Sequence, residues 1–193
     1  MRNIDRYRAT VLTVRMNEAA ASALQPLIVV DPPPVVPSLS QGLREKLALG
    51  LTCNEGAWIF TEHVGQWVGV PASASAAIAK MGWKDLSGYE WFVNAFHLED
   101  YASVHVANLD GQPQIGREDQ IILFRLGLVV ADRVFALNRA LPEPVPVRCV
   151  IGGSADTCVV FRFHQIRPGD EWIDDVLRKP DDPDMMVVVD HHP

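Results

Sequence analysis

Apolar residues recur along this chain at two spacings, near the helical period of about 3.6 in the middle and near the strand period of about 2 toward the end. Three proline-rich joints mark the changes: "DPPPVVP" (31–37), "LPEPVPV" (141–147) and "KPDDPD" (179–184). Proline lacks an amide N–H and disfavours helix in the residue before it, so each joint ends an element. Ahead of the first joint, "RYRATVLTV" alternates like a strand, "NEAAASALQ" reads as a short helix and "PLIVV" as a second strand.

Between the first two joints the pattern predicts helices. "SLSQGLREKLALGL" opens on the capping residues Ser38 and Ser40. "NEGAWIFTEHVGQWVG" reads as a helix capped by Asn54, "SASAAIAKMGW" as one stopped by Gly82, and "DLSGYEWFVNAFHLEDY" as another. "VHVANLDGQPQIG" is irregular, with room for a short strand and a turn. Arg117 to Leu141 is a long helix, with Glu118 and Asp119 at its dipole-positive start, Arg139 near its end and a middle apolar almost all round.

Past Pro146 the segments "VRCVIGG" and "TCVVFRFHQI" form a predicted β-hairpin, "GDEWIDDVLR" a short acidic helix capped by Asp170, and "DMMVVVD" a final strand. The fold class is therefore α+β: a short N-terminal strand-helix-strand segment (1–37), a largely helical middle (38–142) and a C-terminal β-β-α-β antiparallel layer (143–193), expected as a single domain over 1–193. A Gly-first turn at Gly153-Ser154 sets Cys149 opposite Cys158, with Cα atoms about 4.5 Å apart. A turn at Ala155-Asp156 puts the two cysteines out of register, and both turns remain open. In a reducing compartment the pair is expected as thiols. Alternation places Val159, Phe161 and Phe163 with Val150 on the core face, and Cys158, Val160, Arg162 and His164 on the other, opposite Cys149.

Composition adds little until the charge is located. The net charge is −7; residues 1–96 are neutral, whereas 170–193 hold eight acids against Arg178 and Lys179. An acidic surface attracts cationic partners and argues against nucleic-acid binding, which needs the opposite sign. No run approaches the roughly 18 apolar residues of a membrane span, and the N-terminus lacks the apolar core of a secretory signal, so the expectation is no membrane and a cytoplasmic location.

The polar residues of "FRFHQIRPGDEW" and the helix after it form the candidate contact edge: Arg162, His164, Arg167, Asp170, Glu171, Trp172, Asp174 and Asp175. Arg162 and His164 could converge on an anion or a partner's carboxylate. A zinc site from Cys149, Cys158 and His164 has too few ligands and no close cysteine pair. Cys158 and His164 lie six residues apart on one strand, about 20 Å, too far for a thiolate–imidazole pair. "HLEDY" and its neighbour supply His97, Glu99, Asp100 and His105 as the alternative metal or acid–base set, and "DDPD" lacks the spaced ligands of a calcium loop. His191 and His192 read either as native residues or as the remnant of an appended tag. No phosphate-loop, dinucleotide or nucleophile-elbow motif is present, so no cofactor is expected.

With acids, tryptophan anchors and no catalytic signature, the sequence points to a non-catalytic binding protein, of the inhibitor or immunity type, that blocks a basic protein partner. The alternatives are a small hydrolase or metal-assisted enzyme, and a homo-oligomeric structural subunit built on helix 117–141.

Overall fold

The structure is a computed structural model and describes residues 11–24, 37–154, 156–170, 172–179 and 182–193. It is a mixed fold of helices and antiparallel sheets, centred on a five-stranded sheet. β1 (Val11–Met16), β4 (Phe96–His97), β7 (Val147–Gly153), β8 (Val159–Gln165) and β9 (Met185–His192) lie in the order β1-β9-β7-β8-β4, and every neighbouring pair is antiparallel. The expected C-terminal layer is thus three-fifths of a larger sheet, which the N-terminal strand and a two-residue strand from the middle region complete. The expected strand "PLIVV" lies outside the described residues.

Cys149, Ile151, Phe161, Phe163, Val187 and Val189 share one face of this sheet and belong to the main apolar core. The long helix α5 (Arg117–Arg139) covers them with Leu123, Phe124, Val130, Val134 and Phe135. Its approach is close because position 127 is glycine: a Cβ there would stand 2.8 Å from Ile151 Cγ1. The core-facing stripe of α5 is therefore buried inside the chain, while Ile122 and Leu128 stay exposed on the same helix. His191 belongs to the same core, stacked on Phe135 at 4.9 Å between ring centres.

The hairpin register differs from the expected one. Cys149 pairs with Phe163, not with Cys158, and the last pair is Gly153 with Val159. The slip of five residues is odd, so it moves Cys149 to the core face and Val150 to the Arg162 side. The longer connection is anchored from outside the hairpin. Gln120 of α5, fully buried, donates to the carbonyls of Ser154 and Thr157, both at 2.8 Å, and Ile115 N–H donates to Asp156 O at 2.9 Å. Both cysteines are free thiols.

Two expected helical stretches are partly or wholly strand. In place of a helix from Asn54, β2 (Leu51–Asn54) and β3 (Ala57–Phe60) form a hairpin. Glu55 and Gly56 turn it with φ of 51° and 87°, the paired left-handed conformation of a type I′ turn. Asn54 does not cap; its amide donates to Ala72 O and Tyr89 Oη. The stretch from Asp85 to Tyr101 holds a short helix α4 (Leu86–Val93), then β4 and a single 3-10 turn (Glu99–Tyr101). The irregular segment is a hairpin of β5 (Val106–Leu109) and β6 (Gln112–Ile115), turned by Asp110-Gly111. The helices α2 (Gln41–Ala48, capped by Ser40) and α3 (Ala74–Met81, capped by Ser73 and ended by Gly82 at φ 71°) follow their sequence signals, as does α1 (Glu18–Leu24).

α4 is wedged between β3 and β8, which do not pair as strands, and two of its side chains replace the missing ladder. Asn94 accepts from Phe60 N–H at 3.0 Å and donates to Trp58 O and Phe163 O. Glu90, with no exposed surface, accepts from Trp58 N–H at 2.6 Å and Gln165 N–H at 2.9 Å. This wedge fixes α4 over the end of β8. No helix among the described residues is long and apolar enough to cross a membrane.

Candidate functional site

Strand alternation puts Arg148, Val150, Arg162, His164, Val188 and Asp190 on the sheet face away from α5. Two elements cover this face. The short helix α6 (Trp172–Leu177) sets Ile173 on Val150 and Val188, and α4 lays Trp91 against the same cluster. The apolar half of the face gives way to a charged half at the strand ends. There Arg148 grips both oxygens of Asp190 at 2.7 and 2.9 Å and reaches Asp170 O at 2.8 Å. Arg15 of β1 donates to Asp190 at 2.8 Å and also pairs with Asp174 of α6. A bidentate, hydrogen-bonded arrangement of this kind is what keeps buried charge tolerable.

The corner between β8 and α6 reverses at Gly169, whose φ is 93°. Asp170 was expected to cap α6, but its carboxylate turns back. Oδ2 accepts from Arg167 N–H at 2.7 Å and from the Ser87 hydroxyl at 3.2 Å, and lies 3.6 Å from His164 Nδ1. The His164 ring is 1% exposed; its Nδ1 donates to Gln165 O at 3.0 Å, and its Nε2 has no hydrogen-bond partner among the described residues. Burial holds the imidazole below its ordinary pKa against the opposing pull of Asp170. His164 is therefore neutral at pH 7, protonated on Nδ1, with the Nε2 lone pair unused.

Beside this ring lies a pocket of about 210 Å³. Trp91 and Trp172 wall it, meeting edge to face at 5.0 Å, with Trp172 43% exposed. His164 and Asp170 supply one side, and Lys84, Asp85 and Ser87 at the start of α4 the other. Ser87, Asp170 and His164 are the residue types of a nucleophilic triad in the wrong order. The carboxylate sits between serine and histidine, and the imidazole does not hold the hydroxyl, so His164 is not placed as the base for Ser87.

The expected contact residues divide accordingly. His164, Asp170 and Trp172 meet in the pocket. Arg162 lies over the Trp91 ring at 5.1 Å, with no carboxylate partner among the described residues. Arg167 is structural, held by Glu90 through both prongs of its guanidinium and donating also to Gly56 O. Glu171 lies outside the described residues. Asp174 is turned to Arg15, away from the pocket, and Asp175 is exposed on α6. Asp182 pairs with Lys179 at 2.9 Å. Much of the C-terminal acidity is thus matched inside the molecule.

Of the alternative metal set, the structure joins His97 and Glu99 at 2.9 Å and adds Cys158; His105 instead meets Asp119 through its backbone N–H. Burial, then the Glu99 carboxylate, pushes the Cys158 thiol up to about 11 in the metal-free chain. Cys149 is sealed in the core, and burial raises its thiol well above the ordinary value.

Sequence reasoning missed the α4 half of the pocket. The signal was there: Ser87, Glu90 and Asn94 recur at helical spacing in an otherwise apolar helix, and all three are buried. Polar residues on one stripe of an apolar helix announce partners arriving from elsewhere in the chain. No match was found among curated proteins or among solved structures. A family model described as the Uncharacterized protein PM0498 family matches residues 35–192, and the chain belongs to that family.

Proposed function

We propose that the protein is a non-catalytic binding protein, and that its pocket takes one basic side chain, arginine or lysine, from a protein partner. The observation that carries this reading is the unpartnered Nε2 of His164 beside two tryptophan walls. A neutral imidazole with a free lone pair accepts a hydrogen bond, and guanidinium and ammonium groups are donors only. Tryptophan faces attract such cations, and an apolar wall suits the methylene stem behind them. Size agrees: about 210 Å³ falls short of the roughly 300–1,000 Å³ of small-molecule sites and fits a single inserted side chain. Asp85 and Asp170 line the pocket against the one lysine Lys84, so the reading rests on the pocket more than on the bulk acidity. An inhibitor or immunity role follows if the inserted residue belongs to a basic enzyme's own working surface.

A peptide array that varies one central residue tests this, read by binding of the full chain. Arginine- and lysine-centred peptides are expected to bind best, with Trp172→Ala and His164→Ala each weakening them more than about tenfold. Equal binding of acid-centred peptides, or wild-type binding by Trp172→Ala, overturns the reading.

A further inference from the structure

At the opposite end of β8 from the pocket, His97, Glu99 and Cys158 bring an imidazole nitrogen, a carboxylate oxygen and a thiol sulfur within 4.8 Å of one another. We propose that these three residues bind a divalent metal of the zinc class, with a fourth coordination position open to solvent.

The backbone around the three residues is fixed by the sheet. His97 is the second residue of the edge strand β4 and pairs with Val160 of β8. Leu98 N–H, one residue on, donates to Val159 O at 2.9 Å, which locks the start of the 3-10 turn that carries Glu99. Cys158 is the residue immediately before β8. His97 thus lies in a hydrogen-bonded strand, Cys158 one residue before one, and Glu99 two residues after one. Placement on regular elements is what a metal site needs to hold its geometry without the ion.

The carboxylate is already oriented from outside the trio. Glu99 Oε2 accepts from Val159 N–H at 3.2 Å, while Oε1 meets His97 Nδ1 at 2.9 Å. Support of this type, a backbone amide steering a ligating carboxylate, is the second-shell device of metal sites. Zinc bonds of about 2.0–2.3 Å place tetrahedral ligand atoms roughly 3.5 Å apart, so closing on an ion asks for shifts of about an ångström or less. A sulfur-nitrogen-oxygen set is borderline-soft, which favours zinc, and cobalt as its spectroscopic stand-in, over magnesium or calcium. Three protein ligands leave one position vacant, and with the His97 side chain 51% exposed the cluster lies at the surface, within reach of a water as fourth ligand.

Titration of the chelator-treated, full-length protein with Co²⁺ tests the site. One equivalent is expected to produce a thiolate-to-cobalt charge-transfer band and the visible bands of tetrahedral cobalt, both abolished by added Zn²⁺. Cys158→Ser should remove the charge-transfer band, and His97→Ala should weaken binding more than about tenfold. Cys53→Ser, an exposed cysteine elsewhere, should change nothing. Circular dichroism of each variant separates lost binding from lost folding. No saturable Co²⁺ spectrum in folded wild type, or a charge-transfer band that survives Cys158→Ser, overturns the proposal. Neither result bears on the pocket, since both variants leave Trp91, His164 and Trp172 in place.

Discussion

Arg167 and Glu90, 77 positions apart, meet in a two-pronged ion pair, Nη1 to Oε2 at 2.6 Å and Nη2 to Oε1 at 2.9 Å. The same carboxylate accepts the N–H groups of Trp58 and Gln165, so Glu90 is joint and counter-ion together. Burial pushes its carboxyl above the ordinary range, and the Arg167 contact opposes that push. Breaking a buried pair commonly costs about 3–5 kcal/mol, whereas replacing both partners by apolar residues can be neutral. Here it cannot be neutral, because Trp58 and Gln165 would keep orphaned amides. Urea unfolding should show Glu90→Leu with Arg167→Met still destabilised by about 2–6 kcal/mol, since each of the two unsatisfied buried amides costs about 1–3. A double variant as stable as wild type would show that the stitching role is absent.

Lys46 predicts a pH dependence. Its ammonium, 4% exposed, donates to Glu62 Oε2 and His63 Nε2, both at 2.6 Å, and lies over the rings of Phe60 and Phe96. His63 must then accept at Nε2 and donate from Nδ1 to Val93 O, the neutral tautomer. Burial, then the neighbouring ammonium, lowers its pKa from 6.5 to about 4. A base with a depressed folded pKa contributes stability that is fully present above about 6.5 and is lost as pH falls toward about 4. The loss should be of the order of 2 kcal/mol across that window. His63→Gln keeps a donor and an acceptor without titrating, so its denaturation midpoint should vary less with pH; an unchanged pH profile would count against the assignment.

Gly127 sets the distance between α5 and the sheet. A methyl there meets three carbons of Ile151 between 2.8 and 3.0 Å, so Gly127→Ala must displace either the helix or the buried Ile151 side chain. Overpacking of this kind costs about 1–3 kcal/mol. Ile151→Ala in the same chain should recover part of the loss, and the double-mutant cycle in urea should show coupling beyond about 0.5 kcal/mol.

Gln120 holds the β7–β8 connection through two carbonyls. Gln120→Leu should cost about 1–3 kcal/mol and accelerate amide exchange at Thr157, whose N–H closes that turn on Ser154 O at 3.1 Å. Exchange at the wild-type rate would show that the strands set the register without the helix.

The contrast among these residues explains how far the sequence could be read. Ser40, Ser73 and Gly82 act within their own helices, and they start or stop α2 and α3 where the residue types say they should. The Arg117–Arg139 helix and the core-facing Phe161 and Phe163 were equally legible, because their periods are long and regular. Glu55-Gly56 was misread: an apolar run with a polar start fits a buried helix as well as a hairpin, and only the left-handed turn decides.

Local chemistry alone determined the caps of α2 and α3 and the period of the long helix, and it offered the edge "FRFHQIRPGDEW" as a candidate contact. The tertiary structure decided the rest. The β7–β8 connection is held by Gln120, which lies on another element. The pocket needs Ser87 and Trp91, more than 70 residues from His164, and the His97–Glu99–Cys158 cluster forms only because β4 pairs with β8. Spacing along a chain records what neighbouring residues can do; which distant side chains meet is set by how the apolar faces pack, and no local pattern encodes that.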